Sequence, residues 1–278
     1  MSIPTYTLND GLELPAMGLG TYQLNGADGV DAIVSGIKQG YRLIDSAFNY
    51  ENEGAVGEAI RRAGVPREEL IVTSKLPGRH QAYGEAIHTV QESLYRFGLD
   101  YIDLYLIHWP LPRVNLYVQA WQALIDLRTD GVIRSIGVSN FLPEHIDRII
   151  SETGVAPSVN QIERHPYWPA DSQLKENAER SVRVQAWSPL GRTGAIRNEP
   201  LIAEIGRAHG KTPTQVILRW HVQAGVVPIP KASTPARQAE NLDIFDFTLS
   251  DTELASMATL AKPDGRLSDQ DPATYEEF

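Results

Sequence analysis

Residues 101–108, YIDLYLIH, form an apolar run that ends at a histidine, and the run predicts a buried β-strand. Two upstream runs have the same form. YRLID (41–45) ends at Asp45 and is followed by Tyr50, and ELIVTSK (69–75) ends at Lys75. Packing alone gives an apolar strand no reason to end at an ionisable residue. The three strands therefore predict a reaction centre where their carboxyl ends meet.

Five further segments have the composition of strands. They are MGLGT (17–21), IRSIGVSN (133–140), SVNQIE (158–163), VRVQAW (182–187) and VVPIPK (226–231). Helical patterns lie between the strands, and a glycine placed like a left-handed helix cap ends six of them: Gly40, Gly64, Gly98, Gly131, Gly154 and Gly225. Alternating strands and helices favour a parallel sheet, and eight such strands predict a (β/α)8 TIM barrel.

Two pieces lie outside this repeat. TYTLNDGLEL (5–14) alternates around Asn9-Asp10-Gly11 and predicts an N-terminal β-hairpin that closes the bottom of the barrel, and a polar tail follows Lys262. Two helical patterns follow the seventh strand, so one helix there is extra, and the sequence leaves open which of them belongs to the ring. The chain has 278 residues without a linker, which predicts one barrel domain over residues 1–278.

Composition excludes several kinds of site. The absence of cysteine excludes disulfides, thiolate nucleophiles and Cys-ligated metals, and the histidines show no metal-ligand spacing, so we predict no metal. The net charge of -10 argues against nucleic acid as a partner. No basic, apolar leader and no membrane-length apolar run is present. We therefore expect a cytoplasmic protein with no membrane partner.

The polar residues at the strand ends suggest a mechanism when they are considered together. Singly, Asp45 could cap a helix, Lys75 could be solvated, His108 could be a core histidine and Tyr50 an interface aromatic. Barrel active sites, however, lie at the carboxyl ends of strands, and buried Lys and Asp residues are usually paired. A cation held beside Tyr50 would lower the pKa of its hydroxyl from about 10 and make it a general acid. His108 would then orient a substrate carbonyl.

Long motifs in the same order resemble those of the aldo-keto reductases. They are DSAFNYENE (45–53), VGEAI (56–60), IVTSK (71–75), DYIDLYLIHWP (100–110), SIGVSNF (135–141), NQIE (160–163), WSPLG (187–191) and IPK (229–231), followed by Arg237, Glu240 and Asn241. The resemblance spans nearly the whole chain and is nearest to the bacterial 2,5-diketo-D-gluconate reductases. It implies an NADPH-dependent carbonyl reductase with Tyr50 as proton donor, Asp45 and Lys75 as its tuning pair, and His108 as the carbonyl-orienting residue.

The resemblance also implies a set of cofactor contacts. Ser139, Asn140 and Gln161 would bind the nicotinamide carboxamide, and Trp187 would stack on its ring. The other implied cofactor residues are Gly20, Thr21 and Tyr22 near the first strand, Ser188, Leu190 and Gly191 at the pyrophosphate, Lys231, Ala232, Ser233 and Arg237 at the 2'-phosphate, and Glu240 and Asn241 at the adenine. Each has a structural alternative: Trp187 could be core, Gln161 a strand-end cap, and Lys231 and Arg237 solvated charges.

The phosphate assignment has independent support from local chemistry. Pro235 begins a helical pattern, so free backbone N–H groups would point toward Lys231 and Ser233 and attract a phosphate. Ala232 replaces the small hydroxyl residue common beside the family's phosphate-binding lysine, and Ser233 or Thr234 could substitute for it. In an acidic chain, such a local basic cluster favours NADPH as the cofactor.

The substrate is specified less well by the sequence. Tyr22, Phe48 and Trp109 are expected to form an aromatic wall, with Arg113 as an anchor for an acidic substrate. Pro77 and Gly78 stand where many relatives carry a pocket-lining aromatic residue, and Asn49 is another pocket-facing position. Short segments at 111–115 and 265–278 predict a wide, permissive pocket. Sugar-derived or α-keto carbonyls are the expected substrates, and we expect a monomer.

Two alternatives belong to other functional classes. A Schiff-base aldolase could use Lys75 as its nucleophile, although a close Asp45 carboxylate would stabilise the unreactive ammonium form. A barrel that binds nicotinamide cofactor and acts without catalysis is also compatible with the fold, but this chain has no long appended segment suited to such a use.

Overall fold

The structure is a computed structural model that describes residues 3–268 and 270–277. The first two strands form the hairpin, β1 (Thr5–Thr7) and β2 (Glu13–Pro15). The other strands are β3 (Leu19–Gly20), β4 (Leu43–Asp45), β5 (Ile71–Leu76), β6 (Ile102–Ile107), β7 (Ile133–Ser139), β8 (Val159–Glu163), β9 (Arg183–Trp187) and β10 (Val227–Pro228). Each of the eight strands predicted for the barrel is thus present.

Helices follow the barrel strands in alternation. They are α1 (Gly26–Gln39), α2 (Glu53–Ala63), α3 (Tyr83–Phe97), α4 (Tyr117–Thr129), α5 (Pro143–Thr153), α6 (Asp171–Glu179), α7 (Pro200–His209), α8 (Pro213–Gln223), α9 (Pro235–Leu242) and α10 (Asp251–Ala258). Left-handed glycines end several of them, among them Gly40 at φ 114° after α1 and Gly98 at φ 64° after α3. This conformation turns the chain back toward the next strand.

Strands β3 to β10 pair in chain order and in parallel. The sheet closes because the backbone N–H groups of Gly18 and Gly20 donate to the carbonyls of Pro228 and Pro230, each at 3.1 Å. The predicted (β/α)8 barrel is confirmed. Strand β10 is shorter than predicted because Pro228 and Pro230 have no N–H to donate to a ladder.

The hairpin covers the amino ends of the barrel strands. Leu8, Leu12 and Leu14 pack with barrel-interior residues such as Leu43 and Leu104. Asp10 accepts a hydrogen bond from Ser135, near the start of β7, at 2.6 Å. The predicted N-terminal hairpin is therefore present and leaves the opposite end of the barrel free for a site.

The extra helix after the seventh barrel strand is α7. Helix α8 packs against β10 and α9 and so belongs to the ring of helices. Helix α7 instead packs on the outside of α8, where Ile202 and Ile205 meet Ile217 and Met257 in a separate apolar cluster. Within the described residues, no helix is long and apolar enough to cross a membrane.

Candidate active site

A cavity of about 730 Å³ opens at the carboxyl ends of the barrel strands. Most of the residues proposed from the sequence line it: Gly20, Thr21, Tyr22, Asp45, Tyr50, His108, Trp109, Ser139, Asn140, Gln161, Trp187, Ser188, Leu190, Gly191, Lys231, Arg237, Glu240 and Asn241. The parallel barrel brings these residues together because all its strands end on the same face. Among the described residues, no group of three or more His, Asp or Glu side chains could hold a metal ion.

Lys75 and Asp45 form a buried ion pair behind the floor of the cavity. The Lys75 ammonium is fully buried and lies 2.7 Å from Oδ1 of Asp45, and it also donates to the Ser46 carbonyl at 2.7 Å. The other carboxylate oxygen of Asp45 accepts from Gln161 at 2.8 Å. Burial lowers the pKa of Lys75, but Asp45 and Tyr50 act in the opposite direction and hold this pKa above its ordinary value. Lys75 therefore remains an ammonium at neutral pH.

Tyr50 stands on a short 3₁₀ turn, Phe48–Tyr50, that follows β4 after Ser46 and Ala47. The Lys75 nitrogen lies 5.0 Å from the centroid of the Tyr50 ring, and the rings of Tyr22 and His108 contact Tyr50 edge-on at 5.1 and 6.1 Å. Burial raises the pKa of the Tyr50 hydroxyl above its ordinary value, although Lys75 lowers it. The expected lowering is therefore wrong, because loss of hydration outweighs the neighbouring cation. A hydroxyl in this state keeps its proton at neutral pH.

His108 directly follows β6, and its position is set by backbone contacts. Its N–H donates to the Leu76 carbonyl at 3.1 Å, and its carbonyl accepts from the Asn140 amide at 3.0 Å. An unexpected neighbour is Glu277, whose Oε1 lies 2.8 Å from Nδ1 of His108. Sequence reasoning missed Glu277 because it belongs to a polar tail without a motif.

The proposed nicotinamide residues form one hydrogen-bonded group. Asn140 adopts a left-handed conformation with φ 62°, which turns its side chain across the end of β7. Its amide oxygen accepts from the Trp187 indole at 2.7 Å, and its nitrogen donates to the Ser139 hydroxyl at 3.1 Å. Gln161 uses its amide nitrogen on Asp45 and Gln185, which leaves the amide oxygen of Gln161 without a partner among the described residues. The group presents polar atoms beside the indole face of Trp187.

The far end of the cavity is basic. Lys231 and Arg237 are exposed and line it, and the Thr234 hydroxyl caps helix α9 by accepting from the Arg237 N–H. Arg192 and Arg197 line the same cavity and were missed by sequence reasoning, although their place in the loop after β9 is a signal that points to them. In a chain of net charge -10, this concentration of cations suits a phosphate group.

Other proposed residues lie elsewhere. Phe48 does not line the cavity; its ring is covered by the guanidinium of Arg96 at 3.9 Å. Ala232 is buried beneath the basic end and Ser233 is exposed, and both are absent from the cavity wall. Glu240 lines the cavity but accepts a hydrogen bond from Thr212 at 2.6 Å.

Residues of the C-terminal tail form part of the cavity near Trp109, which we call its substrate end. Tyr275 from the tail packs against Trp109 with ring centroids 4.5 Å apart and the ring planes tilted by 55°, and Glu277 also lines the cavity. Arg113, expected to anchor a substrate, instead donates to Glu276 at 2.9 and 3.2 Å and to the Thr274 carbonyl at 3.0 Å. These contacts bring the tail over the mouth of the barrel.

The residues present fit a phosphorylated dinucleotide. One cavity joins a basic end, polar groups at the strand ends beside the Trp187 indole, and Tyr50, behind which the Lys75 ammonium is buried. Lys231 and Arg237 would hold a phosphate, and Asn140, Gln161 and Trp187 would hold a planar ring.

Comparisons with known proteins agree with this arrangement. The model of the Aldo/keto reductase family matches residues 16–262. The chain is 49% identical over 277 residues to 2,5-diketo-D-gluconic acid reductase B of Corynebacterium sp. (strain SHS752001), covering 100% of this chain and 99% of the relative. It is 43% identical over 263 residues to methylglyoxal reductase DkgA of Escherichia coli (strain K12), covering 94% of each.

A solved structure shows the same fold. A mutant of Gox0644 in complex with NADPH superposes with a TM-score of 0.94 at 36% identity and covers 99% of each chain. The family resemblance inferred from the motifs is confirmed. The chain belongs to the aldo/keto reductase family, the members of which are NADPH-dependent oxidoreductases.

Proposed function

We propose that the protein reduces aldehydes and ketones to alcohols with NADPH, and that sugar-derived or α-keto carbonyls, such as 2,5-diketo-D-gluconate and methylglyoxal, are its substrates. The buried ion pair of Lys75 and Asp45 beneath Tyr50 carries this proposal. A buried pair of charges is costly to maintain for stability alone, so its place against a proton-bearing hydroxyl indicates catalysis. Names of relatives that reduce a diketo acid and methylglyoxal support the substrate class.

Each catalytic residue has one proposed task. The Tyr50 hydroxyl donates its proton to the carbonyl oxygen, and the Lys75 ammonium stabilises the phenolate that remains. Asp45 keeps Lys75 charged and in place. Because Nδ1 of His108 faces Glu277, Nε2 is the ring nitrogen proposed to orient the carbonyl oxygen. NADPH, when bound, supplies the hydride.

The cofactor site is proposed to extend from Trp187 to Arg237. Asn140 and Gln161 orient the carboxamide, Trp187 stacks on the ring, and the loop of Ser188, Leu190 and Gly191 borders the pyrophosphate. Lys231 and Arg237 bind the 2'-phosphate, with Ser233 beside them. Gly20, Thr21 and Tyr22 close one side, and Glu240 and Asn241 contact the adenine. The basic end of the cavity supports a preference for NADPH over NADH.

Two observations argue against a Schiff-base aldolase. The pKa of Lys75 lies above its ordinary value, so the free amine that an aldolase needs is scarce. The ammonium is also held by Asp45 and the Ser46 carbonyl, both at 2.7 Å. Borohydride treatment in the presence of a dihydroxyacetone-type ketone should therefore trap no lysine adduct.

A carbonyl panel tests the proposed function. The panel contains 2,5-diketo-D-gluconate, methylglyoxal, methyl pyruvate and an aromatic aldehyde, each with NADPH or NADH, and loss of the reduced cofactor's absorbance is followed. Turnover of at least one member with NADPH, lost in Tyr50→Phe, is the expected result. Failure of the wild-type protein on every member would refute the proposed activity.

We also propose that the chain acts as a single-domain monomer in the cytoplasm. Its lack of cysteine suits a reducing compartment. Size-exclusion chromatography with light scattering should give the monomer mass of 30.8 kDa, and a dimer mass would contradict this proposal.

A further inference from the structure

The tail segment, residues 274–277, contributes a carboxylate to the substrate end of the cavity. Tyr275 packs against Trp109, and Glu276 accepts a hydrogen bond from Arg113 outside the cavity. Glu277 lines the cavity together with Tyr50 and His108. A charged side chain of the protein thus stands beside the residue proposed to orient the carbonyl.

Glu277 is held in this place by several independent contacts. Its Oε1 accepts from the Asn49 amide at 2.9 Å, and its Oε2 accepts from the Gly78 N–H at 3.3 Å. Its side chain is only 13% exposed. A Cβ at Gly78 would stand 2.3 Å from the backbone oxygen of Glu277, so the absence of a side chain there permits the close approach. The site is therefore built from the loops after β4 and β5 as well as from the tail.

The charge of Glu277 is retained at neutral pH. Burial acts to raise the pKa of this carboxyl, but His108 and the donors from Asn49 and Gly78 outweigh burial and lower the pKa below its ordinary value. The carboxylate therefore faces the cavity in its ionised form.

The neighbouring cations are engaged elsewhere. Lys75 is paired with Asp45 at 2.7 Å. Arg79 donates to the amide oxygen of Asn49 at 2.6 Å. Arg113 is bound to Glu276 and Thr274. Apart from the His108 ring itself, the charged group that the described residues present to an incoming carboxylate here is the Glu277 carboxylate, and the nearby Lys and Arg side chains are already paired.

We propose that Glu277 determines the charge preference of the substrate pocket, so that neutral, hydroxyl-bearing or dicarbonyl substrates are favoured over those with a carboxylate next to the carbonyl. This inference rests on the proposed carbonyl reductase function and refines its substrate class. Glu277 accepts hydrogen bonds only, so it suits hydroxyl groups of uncharged sugars and repels a keto acid. Methylglyoxal-like compounds are then better substrates than keto acids whose reacting carbonyl adjoins the carboxylate.

The expected effect follows from the geometry. A substrate oxygen on Nε2 of His108 would lie roughly 7–8 Å from Oε1 of Glu277, with the imidazole between them, and the carboxylate of a keto acid is bonded to the same carbonyl carbon. At that separation, repulsion between two charges in a partly buried site changes affinity by roughly ten- to a hundredfold. Glu277→Gln removes this repulsion while keeping the shape of the side chain.

The test compares pyruvate with methyl pyruvate, which differ in charge at the group beside the ketone. The ratio of kcat/KM for pyruvate to kcat/KM for methyl pyruvate should rise by about tenfold or more in Glu277→Gln relative to the wild-type protein. Glu276→Gln is the matched control, because it removes the same charge from the adjacent residue outside the cavity. In that variant the ratio should stay within about twofold of the wild-type value.

Several results would overturn the inference. An unchanged ratio in Glu277→Gln, or an equal rise in Glu276→Gln, would show that Glu277 does not set the preference. Calorimetric binding of pyruvate and of methyl pyruvate to protein saturated with oxidised cofactor measures the same preference without turnover. Absence of wild-type turnover on the whole carbonyl panel would refute the proposed function, and the binding ratio would still decide the role of Glu277.

Discussion

Replacing Asp45 by asparagine tests the ion pair on which the proposed site depends. The Lys75 side chain is fully buried, the Asp45 side chain is 5% exposed, and their charged atoms are 2.7 Å apart. The variant leaves a buried ammonium with the Ser46 carbonyl as its main partner. Loss of one partner of a buried pair costs about 3–5 kcal/mol. For a protein of this size, the melting temperature should fall by roughly 6–15 °C.

The variant should also respond differently to pH. In the wild-type protein the pKa of Lys75 is raised, because the effects of Asp45 and Tyr50 outweigh that of burial. The contribution of Lys75 to stability is therefore fully present below its ordinary pKa of 10.5, and it is lost only as pH rises through the folded-state pKa. Without the carboxylate, burial becomes the main influence and lowers this pKa. The unfolded chain then binds the proton more tightly, so the stability of the variant rises with pH. The gap in melting temperature should narrow between about pH 7 and pH 10.

Thermal melts followed by circular dichroism at about pH 7 and pH 9.5 measure both effects. Asp31→Asn is the control, since Asp31 pairs with Arg62 at 2.9 Å on the surface with side chains 65% and 49% exposed. Exposed pairs contribute at most about 1 kcal/mol. A melting temperature of Asp45→Asn within about 2 °C of that control would refute the argument that the buried pair is important for stability.

Three other changes test the site from different sides. Tyr50→Phe should lower kcat by roughly 10²- to 10⁴-fold with little change in cofactor affinity by fluorescence titration, and near-normal turnover would exclude Tyr50 as the proton donor. Arg237→Ala should raise the KM for NADPH by about tenfold or more and leave the KM for NADH nearly unchanged. Arg207→Ala is the control, because Arg207 is exposed on α7, and it should change neither KM. Equal losses of affinity for both cofactors would show that Arg237 is a surface charge. Gly78→Ala should displace the tail, because its Cβ would meet the Glu277 backbone oxygen at 2.3 Å, and should raise the KM for small carbonyls. Gly84→Ala is the control, because a Cβ there would have no atom within 4 Å. Equal kinetics in the two variants would disprove the tail contact.

The sequence by itself determined the barrel and most of the wall of its cavity. Each strand is a contiguous run, and an ionisable residue at its end, such as Lys75 or His108, can be located without knowing what it contacts. Parallel strands end on one face, so residues at strand ends must meet. The family motifs are equally local, because each is a contiguous stretch of sequence that does not depend on tertiary contacts.

The tertiary structure alone decided the features that depend on distant residues or on loss of water. In the folded protein α8 rather than α7 packs against β10, the guanidinium of Arg96 covers the Phe48 ring, and Arg113 donates a hydrogen bond to Glu276. The tertiary structure also brings Glu277 to His108 from a tail that carries no motif. The raised pKa of the Tyr50 hydroxyl likewise follows from burial, which no spacing in the chain reveals. Desolvation and long-range contacts are properties of the packed molecule, because they depend on which atoms replace water around each group.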